Sequence, residues 1–240
     1  MPNPTAAMLV IGDEILSGRT RDANMYYLSG QLTEAGIDLR EVRVVSDDPD
    51  AIVDAVKALS ATYDTVVTSG GIGPTHDDIT ADCIAKAFGV AIDVRADARA
   101  LLQAHYDSKG TELNEARLRM ARIPDGATLI DNPVSVAPGF TIENVHVMAG
   151  VPSVFQAMVA TVLPTLTGGA PLISTTYTIN RGEGDIAGPL GELAAEYTEL
   201  SMGSYPFQKD GKFGSNIVIR GTDGEMVEAA KAKLKAVFPE

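Results

Sequence analysis

Thr65-Val66-Val67-Thr68-Ser69-Gly70-Gly71-Ile72-Gly73-Pro74-Thr75-His76-Asp77-Asp78-Ile79-Thr80 is the stretch that decides the fold. Its first four residues are all β-branched, the composition of a short strand buried in a sheet. Three glycines and a proline follow, and the pattern predicts a helix from Ile79 to Phe88. A strand that runs directly into a glycine loop and then a helix is a building block of parallel α/β domains. Glycines let the main chain approach a ligand closely and adopt positive φ. Free N–H groups and the positive end of the following helix favour an anion. The loop is neither a Walker A motif nor a G-x-G-x-x-G fingerprint, because it lacks Gly-Lys-Ser/Thr and its spacing differs.

The same alternation extends to both sides. Ala6 to Ile11 reads as a buried strand ending at Gly12, and Asn24 to Ala35 as a helix closed by Gly36. Leu39 to Val45 is a second strand, and Pro49 opens a helix with Ile52, Val53, Val56 and Leu59 on its apolar stripe. Residues 95–122 read as helix in two pieces, broken near Gly110. Thr128 to Ile130 and Phe140 to Met148 read as strands, the latter turning at Glu143-Asn144, and Val154 to Leu166 as a helix. Thr167-Gly168-Gly169-Ala170-Pro171 then punctuates the chain. The expectation is an α/β domain with a mostly parallel sheet over residues 1–168 and a small α+β domain over residues 172–240. The second has β-α-β-β-α order, in the manner of a ferredoxin-like sandwich. It shows no evident chemistry and reads as a structural or oligomerising appendage.

Composition narrows the partners. The 240 residues carry 32 acidic and 19 basic side chains, for a net charge of −13. That balance argues against non-specific nucleic-acid binding and against attachment to anionic membranes. The single cysteine, Cys83, excludes an intramolecular disulfide and a multi-thiolate zinc site. With no signal-peptide pattern and no apolar run of spanning length, the expected compartment is the cytoplasm.

Carboxylates beside a phosphate-receptive loop repel the ligand unless a cation lies between them. Asp77 and Asp78 therefore suggest a hard divalent ion shared with phosphate oxygens and water. The plain alternative is that Thr75 and Asp78 form a capping-box-like pair at the helix start. Gly12-Asp13-Glu14-Ile15-Leu16-Ser17-Gly18, with Asp22 and Asn24, follows the first strand, and Asp47-Asp48 ends the second. In an open parallel sheet these loops gather at the carboxyl ends of the strands, where ligands bind. Arg117, Arg119 and Arg122 offer guanidinium groups for phosphates, although exposed arginines commonly do nothing specific. His76 sits in the glycine loop within reach of a ligand. His105 and His146 lie apart, so the histidines form no metal site. Cys83 reads as a small core residue.

These residues resemble the molybdopterin-binding (MoaB/MogA-like) domain family, and most closely its CinA amino-terminal-like branch. The run Gly70 to Thr80 carries the resemblance, together with Gly12 to Gly18, Asp22-Ala23-Asn24, Asn132-Pro133, Ala137-Pro138-Gly139-Phe140 and Gly150-Val151-Pro152. Gly73 to Asp78 with Gly12 to Leu16 is also similar to the domain fused to eukaryotic FAD synthases. The likeness is strong over residues 5–166 and looser through Gly203-Ser204-Tyr205-Pro206. In that branch Gly-Thr usually stands where this chain has Ser135-Val136.

The resemblance implies a three-layer α/β/α domain that binds a phosphorylated pterin or nucleotide. It implies catalytic roles for Asp47 and Asp78, and a metal (Mg2+, Mn2+ or Co2+) on Asp77 and Asp78. The ligand contacts it implies are Gly12, Asp13, Glu14, Ser17, Gly18, Asn24, Gly70, Gly71, Gly73, Thr75, His76, Arg119, Gly150 and Pro152. Two activities follow from it: metal-dependent hydrolysis of a pyrophosphate such as FAD or ADP-ribose, or binding and adenylylation of molybdopterin. A non-catalytic nucleotide sensor is the third reading, and family habit suggests a homo-oligomer.

Overall fold

Ala7, Leu9 and Ile11 face one side of the first strand, and Ala6, Met8 and Val10 face the other; every one is buried. A strand apolar on both faces must be covered on both, and that requirement generates the layers. In the computed structural model, which describes residues 2–209 and 211–239, the chain forms β1 (Thr5–Ile11), α1 (Asp13–Leu16), α2 (Asn24–Glu34), β2 (Asp38–Val45), α3 (Pro49–Thr62) and β3 (Thr65–Ser69). It continues as α4 (Thr80–Phe88), β4 (Ile92–Val94), α5 (Ala96–Ser108), α6 (Glu115–Leu118), β5 (Arg122–Pro124), β6 (Thr128–Ile130), β7 (Gly139–Ile142), β8 (Val145–Met148) and α7 (Pro152–Val162).

Six strands make the central sheet in the order β2-β1-β3-β8-β7-β6. The pairs β1–β2, β1–β3 and β3–β8 are parallel, while β7 and β6 close one edge antiparallel. Helices α3, α4 and α5 cover the face that carries Leu9 and Val66. Helices α2 and α7 cover the face that carries Met8 and Val67. This is the expected α/β/α architecture with a mostly parallel sheet. Local chemistry sets the helix ends. Asp48 caps α3 by accepting from the amides of Asp50 and Ala51 at 3.1 and 2.8 Å, and Pro49 occupies its first turn.

The stretch 95–122 is helical in two pieces broken near Gly110, as expected, and a short ribbon that the sequence did not suggest flanks it. Arg122–Pro124 pairs antiparallel with Ile92–Val94 as a two-stranded ribbon, which the periodicity did not reveal because each strand is three residues long. The chain divides into two compact units, one ending at Gly169 and one beginning at Ala170. The second contains β9 (Ile173–Ile179), α8 (Glu183–Glu196), β10 (Ser201–Lys209), β11 (Lys212–Gly221) and α9 (Gly224–Val237). Its sheet has the order β10-β11-β9, with β11 antiparallel to both neighbours, which is the split β-α-β arrangement. Tyr177, Ile217, Ile219, Val227 and Leu234 form its own core. No helix among the described residues is long and apolar enough to cross a membrane.

Candidate functional site

A cleft of about 580 Å³ opens where the parallel strands end. Gly12, Glu14 and Thr20 line it from beyond β1, Asp47 from beyond β2, and Gly70 to Gly73 with Asp77 and Asp78 from beyond β3. Gly150, Val151 and Pro152 contribute after β8. Asn132, Ser135 and Ala137 contribute from the loop between β6 and β7. The sheet direction thus brings together loops that lie more than a hundred residues apart in sequence.

The glycines are fixed by contact with the sheet. A Cβ on Gly70, whose φ is +113°, would fall 2.2 Å from the carbonyl oxygen of Ile11. The amide of Gly70 donates to the Met148 carbonyl at 3.1 Å, which ties the loop to β8. Helix α4 begins at Thr80, one residue later than expected, and Thr80 is fully buried. Its amide donates to the Gly71 carbonyl and its hydroxyl to the Gly70 carbonyl, both at 3.0 Å. The first turn of α4 is absent from the cleft lining. The cleft is lined by the main chain of Gly70 to Gly73 rather than by the helix start, because Thr80 folds the start of α4 back onto the loop.

Asp47 and Asp78 line the cleft from different loops, and each is anchored through one oxygen. Asp47 Oδ2 accepts from the Asp13 amide at 3.0 Å. Asp78 Oδ2 accepts from the Thr75 amide at 2.8 Å and the Thr75 hydroxyl at 2.6 Å, while the Asp78 amide donates to the Thr75 carbonyl at 3.3 Å. The Thr75–Asp78 pair exists, but it closes the loop rather than capping α4, whose N-cap position is Ile79 with no side-chain cap. The Ser/Thr-x-x-acid spacing satisfies a tight turn as well as a cap, so spacing alone could not separate them. Asp78 also lies over Gly73, where an added Cβ would sit 2.6 Å from Oδ2. Among the described residues, Oδ1 of both aspartates has no protein partner.

The other expected residues divide into lining and supporting positions. Gly12, Glu14, Gly150 and Pro152 line the cleft. Asn24 is buried beside it, with Nδ2 donating to Ser69 Oγ and to the Gly150 carbonyl, both at 2.8 Å. It braces two lining loops rather than lining the cleft itself. Arg119 lies behind the glycine loop and donates to the Asp78 carbonyl at 3.1 Å, so it supports the loop from the far side. Asp13, Ser17, Gly18 and Thr75 are outside the lining, and Asp13 contributes the amide that holds Asp47. The His76 side chain is 99% exposed, pointing into solvent, and does not line the cleft.

Arg122 is engaged with Asp82 at 2.7 Å, and the Arg117 guanidinium stacks 4.7 Å above the Tyr106 ring. Burial pushes the Cys83 thiol up to about 11, which suits an inert core residue. Burial pushes His146 down to about 4, and its Nδ1 lies 2.9 Å from the Thr141 hydroxyl.

Asn132 and Ser135 are among the lining residues that the sequence did not single out as site residues. Asn132 is 2% exposed and organises the loop before β7. Its Oδ1 accepts from the amides of Val134 and Ser135, both at 3.1 Å, and its Nδ2 donates to Ser135 Oγ at 2.6 Å and the Ala137 carbonyl at 2.8 Å. Asn132-Pro133 was visible as a family motif, but an uncharged turn residue gave no chemical signal of its own.

Among the described residues there is no cluster of three or more His, Cys, Asp or Glu side chains poised around a metal.

Residues 7–168 match the family described as "Probable molybdopterin binding domain". The chain belongs to this family, of the MoaB/MogA-like and CinA-like type. Residues 171–240 match a second family, "FAD synthase, middle domain". The chain is 32% identical over 259 residues to a "Probable FAD synthase" of Caenorhabditis briggsae, covering 98% of this chain and 49% of that protein. It thus spans about half the length of that relative. It is 34% identical over 236 residues to the protein PYRAB15930 of Pyrococcus abyssi, covering 93% and 92% of the two chains. Among solved structures, the protein CinA of unknown function from Thermoplasma acidophilum superposes with a TM-score of 0.63 at 35% identity, over 68% of this chain and 97% of that one. This molybdopterin-binding-domain protein therefore shares its cleft-bearing unit with CinA and its full span with part of a longer relative.

Proposed function

We propose that the chain binds a phosphorylated nucleotide or pterin in this cleft and hydrolyses a nucleotide pyrophosphate of the FAD or ADP-ribose type with a divalent metal. One observation carries the reading: Asp47 and Asp78 line the same cleft, each anchored through one oxygen with the other left without a protein donor. Membership of a molybdopterin-binding family and similarity to FAD synthases support the ligand class.

Electrostatics explains why a cation is needed. Glu14, Asp47, Asp77 and Asp78 line the cleft, and no lysine or arginine does so among the described residues. A pyrophosphate would meet four carboxylates with only backbone N–H groups to offset them. Asp77 and Asp78 would hold the divalent ion beside the ligand phosphates. When bound, such an ion supplies the positive charge that polarises a phosphoryl oxygen. The backbone of Gly70 to Gly73 cradles the phosphates, and Asp47 or Asp78 orients the attacking water through its unheld oxygen. One water is consumed and one P–O–P bridge breaks, giving AMP and the remaining monophosphate.

Purified protein incubated with FAD or ADP-ribose and Mg2+, Mn2+ or Co2+ is expected to release AMP. Asp78→Asn is expected to reduce that rate at least about 100-fold while the chain stays folded, in line with losing a group that acts on the reacting water. No AMP with any of the three metals would falsify the hydrolase reading. Membership of a molybdopterin-binding family supports molybdopterin as the other ligand of the same site; if the chain instead adenylylates it from ATP, the product of that assay separates the two readings.

A further inference from the structure

The carboxylates that line the cleft all come from loops after β1, β2 and β3. The loops on the β8 and β7 side contribute no charge and present Ser135, Ala137, Gly150 and Val151 instead. Sheet order β2-β1-β3-β8-β7-β6 sets these groups on opposite sides of the glycine loop. One half of the cleft is acidic and one half is neutral. Val151 is 60% exposed there, an apolar surface with no protein cover.

Within the neutral half, the hydrogen bonds of Asn132 leave one hydroxyl proton without a protein acceptor among the described residues. Backbone amides can only donate, so the atom that accepts from Val134 and Ser135 must be the amide oxygen of Asn132. A carbonyl can only accept, so the atom facing Ala137 must be the amide nitrogen. That nitrogen also donates to Ser135 Oγ, so the Ser135 hydroxyl must aim its own hydrogen elsewhere. Among the described residues no acceptor receives it, and Ser135 lines the cleft. The neighbouring Val136 has φ +68°, a conformation that a β-branched residue adopts only when its surroundings impose it. The Val136 amide, donating to the Asn132 carbonyl at 3.0 Å, is part of that restraint. The loop is held in one arrangement that sets the serine hydroxyl on the cleft wall.

We propose that the cleft is bipartite and that Ser135 is the hydrogen-bond donor of its neutral half, contacting an acceptor atom on the uncharged heteroaromatic ring of the ligand while the phosphates lie at the glycine loop. This rests on the nucleotide reading above and adds the orientation of the ligand and a residue that selects its ring. Flavin and adenine rings both carry carbonyl or ring-nitrogen acceptors, and both present an apolar face suited to Val151.

The test compares the unaltered chain with Ser135→Ala and Ser135→Thr, all with Mg2+. FAD binding is followed by flavin fluorescence before turnover, and inorganic pyrophosphate is titrated as a competitor that has phosphates but no ring. Ser135→Ala is expected to weaken FAD binding about 5–10-fold, the loss of one neutral hydrogen bond, and to leave the pyrophosphate constant unchanged. Ser135→Thr, which keeps the hydroxyl, is expected to stay within about 2-fold of the unaltered chain. Unchanged FAD binding in Ser135→Ala overturns the proposal alone. Equal weakening of FAD and pyrophosphate also overturns it, by moving Ser135 to the phosphate end. Failure of the unaltered chain to bind either probe overturns the nucleotide reading and the proposal with it.

Discussion

The two walls of the cleft are built on opposite principles. The glycine-loop wall, Gly70 to Asp78, achieves its shape by omission: side chains are missing where the main chain must touch the end of β1. The facing wall, Asn132 to Ala137, achieves its shape by addition. One buried side-chain amide satisfies two backbone donors, a carbonyl and a hydroxyl, and the main-chain carbonyl of the same residue accepts from a valine at positive φ. The first wall carries charge, and the second carries neutral groups. Rigidity by close approach and rigidity by hydrogen bonding fail in different ways.

Adding a methyl group to the first wall should do the most damage. Gly70→Ala places a Cβ 2.2 Å from a backbone oxygen at a φ of +113°, and neither strand can yield. Loss of more than about 3 kcal/mol is expected in denaturant unfolding, together with loss of ligand binding. Stability close to that of the unaltered chain would show that the loop is not held against β1.

Acid should act next, on the support beneath the second wall. His146 lies on β8 opposite Thr141 on β7, and burial lowers its pKa from 6.5 to about 4. The unfolded chain binds a proton there more readily, so the associated stability is present above about pH 6.5 and is lost as pH falls towards 4. The loss at pH 4 is expected to approach about 3 kcal/mol. His146→Gln should flatten this part of the pH–stability curve, whereas an unchanged slope would mean the histidine protonates freely in the fold.

The smallest effect is the most specific. Val136→Gly removes the side chain from a left-handed position and is expected to raise stability by about 1 kcal/mol, even though glycine elsewhere costs chain entropy. Asn132→Ala in the same loop should cost about 2 kcal/mol by leaving the amides of Val134 and Ser135 unpaired. Destabilisation by Val136→Gly would mean that Val136 is not strained, and unchanged stability in Asn132→Ala would mean that Asn132 does not hold the loop.

The contrast between the walls also explains what could be read from the chain. Ala6 to Ile11, Thr65 to Thr68 and the glycines between them announce the parallel sheet, because both faces of each strand are apolar and the loop composition is unusual. The acidic half of the cleft was legible for the same reason, since Asp47, Asp77 and Asp78 are chemically conspicuous. Details that depend on three-dimensional closure were not. Thr75 and Asp78 have the spacing of a helix cap, yet Thr80 claims the helix start by bonding Gly70, so the same pair closes a loop instead. His76 looked well placed because it is central in the motif, but its side chain points into solvent. Asn132 and Ser135 gave no such signal, because a neutral amide becomes informative only when its four partners are known.

Thermal denaturation of the chain with FAD or ADP-ribose, with and without Mg2+, tests most directly whether a phosphorylated nucleotide and a divalent ion share the cleft. A ligand that binds only the folded chain raises the midpoint, by about 2.7 kcal/mol of stability at a hundredfold excess over Kd. The expected result is a rise with nucleotide and Mg2+ together that exceeds the sum of the two separate shifts, and that Asp78→Asn reduces. A nucleotide shift of the same size with and without Mg2+ would contradict it.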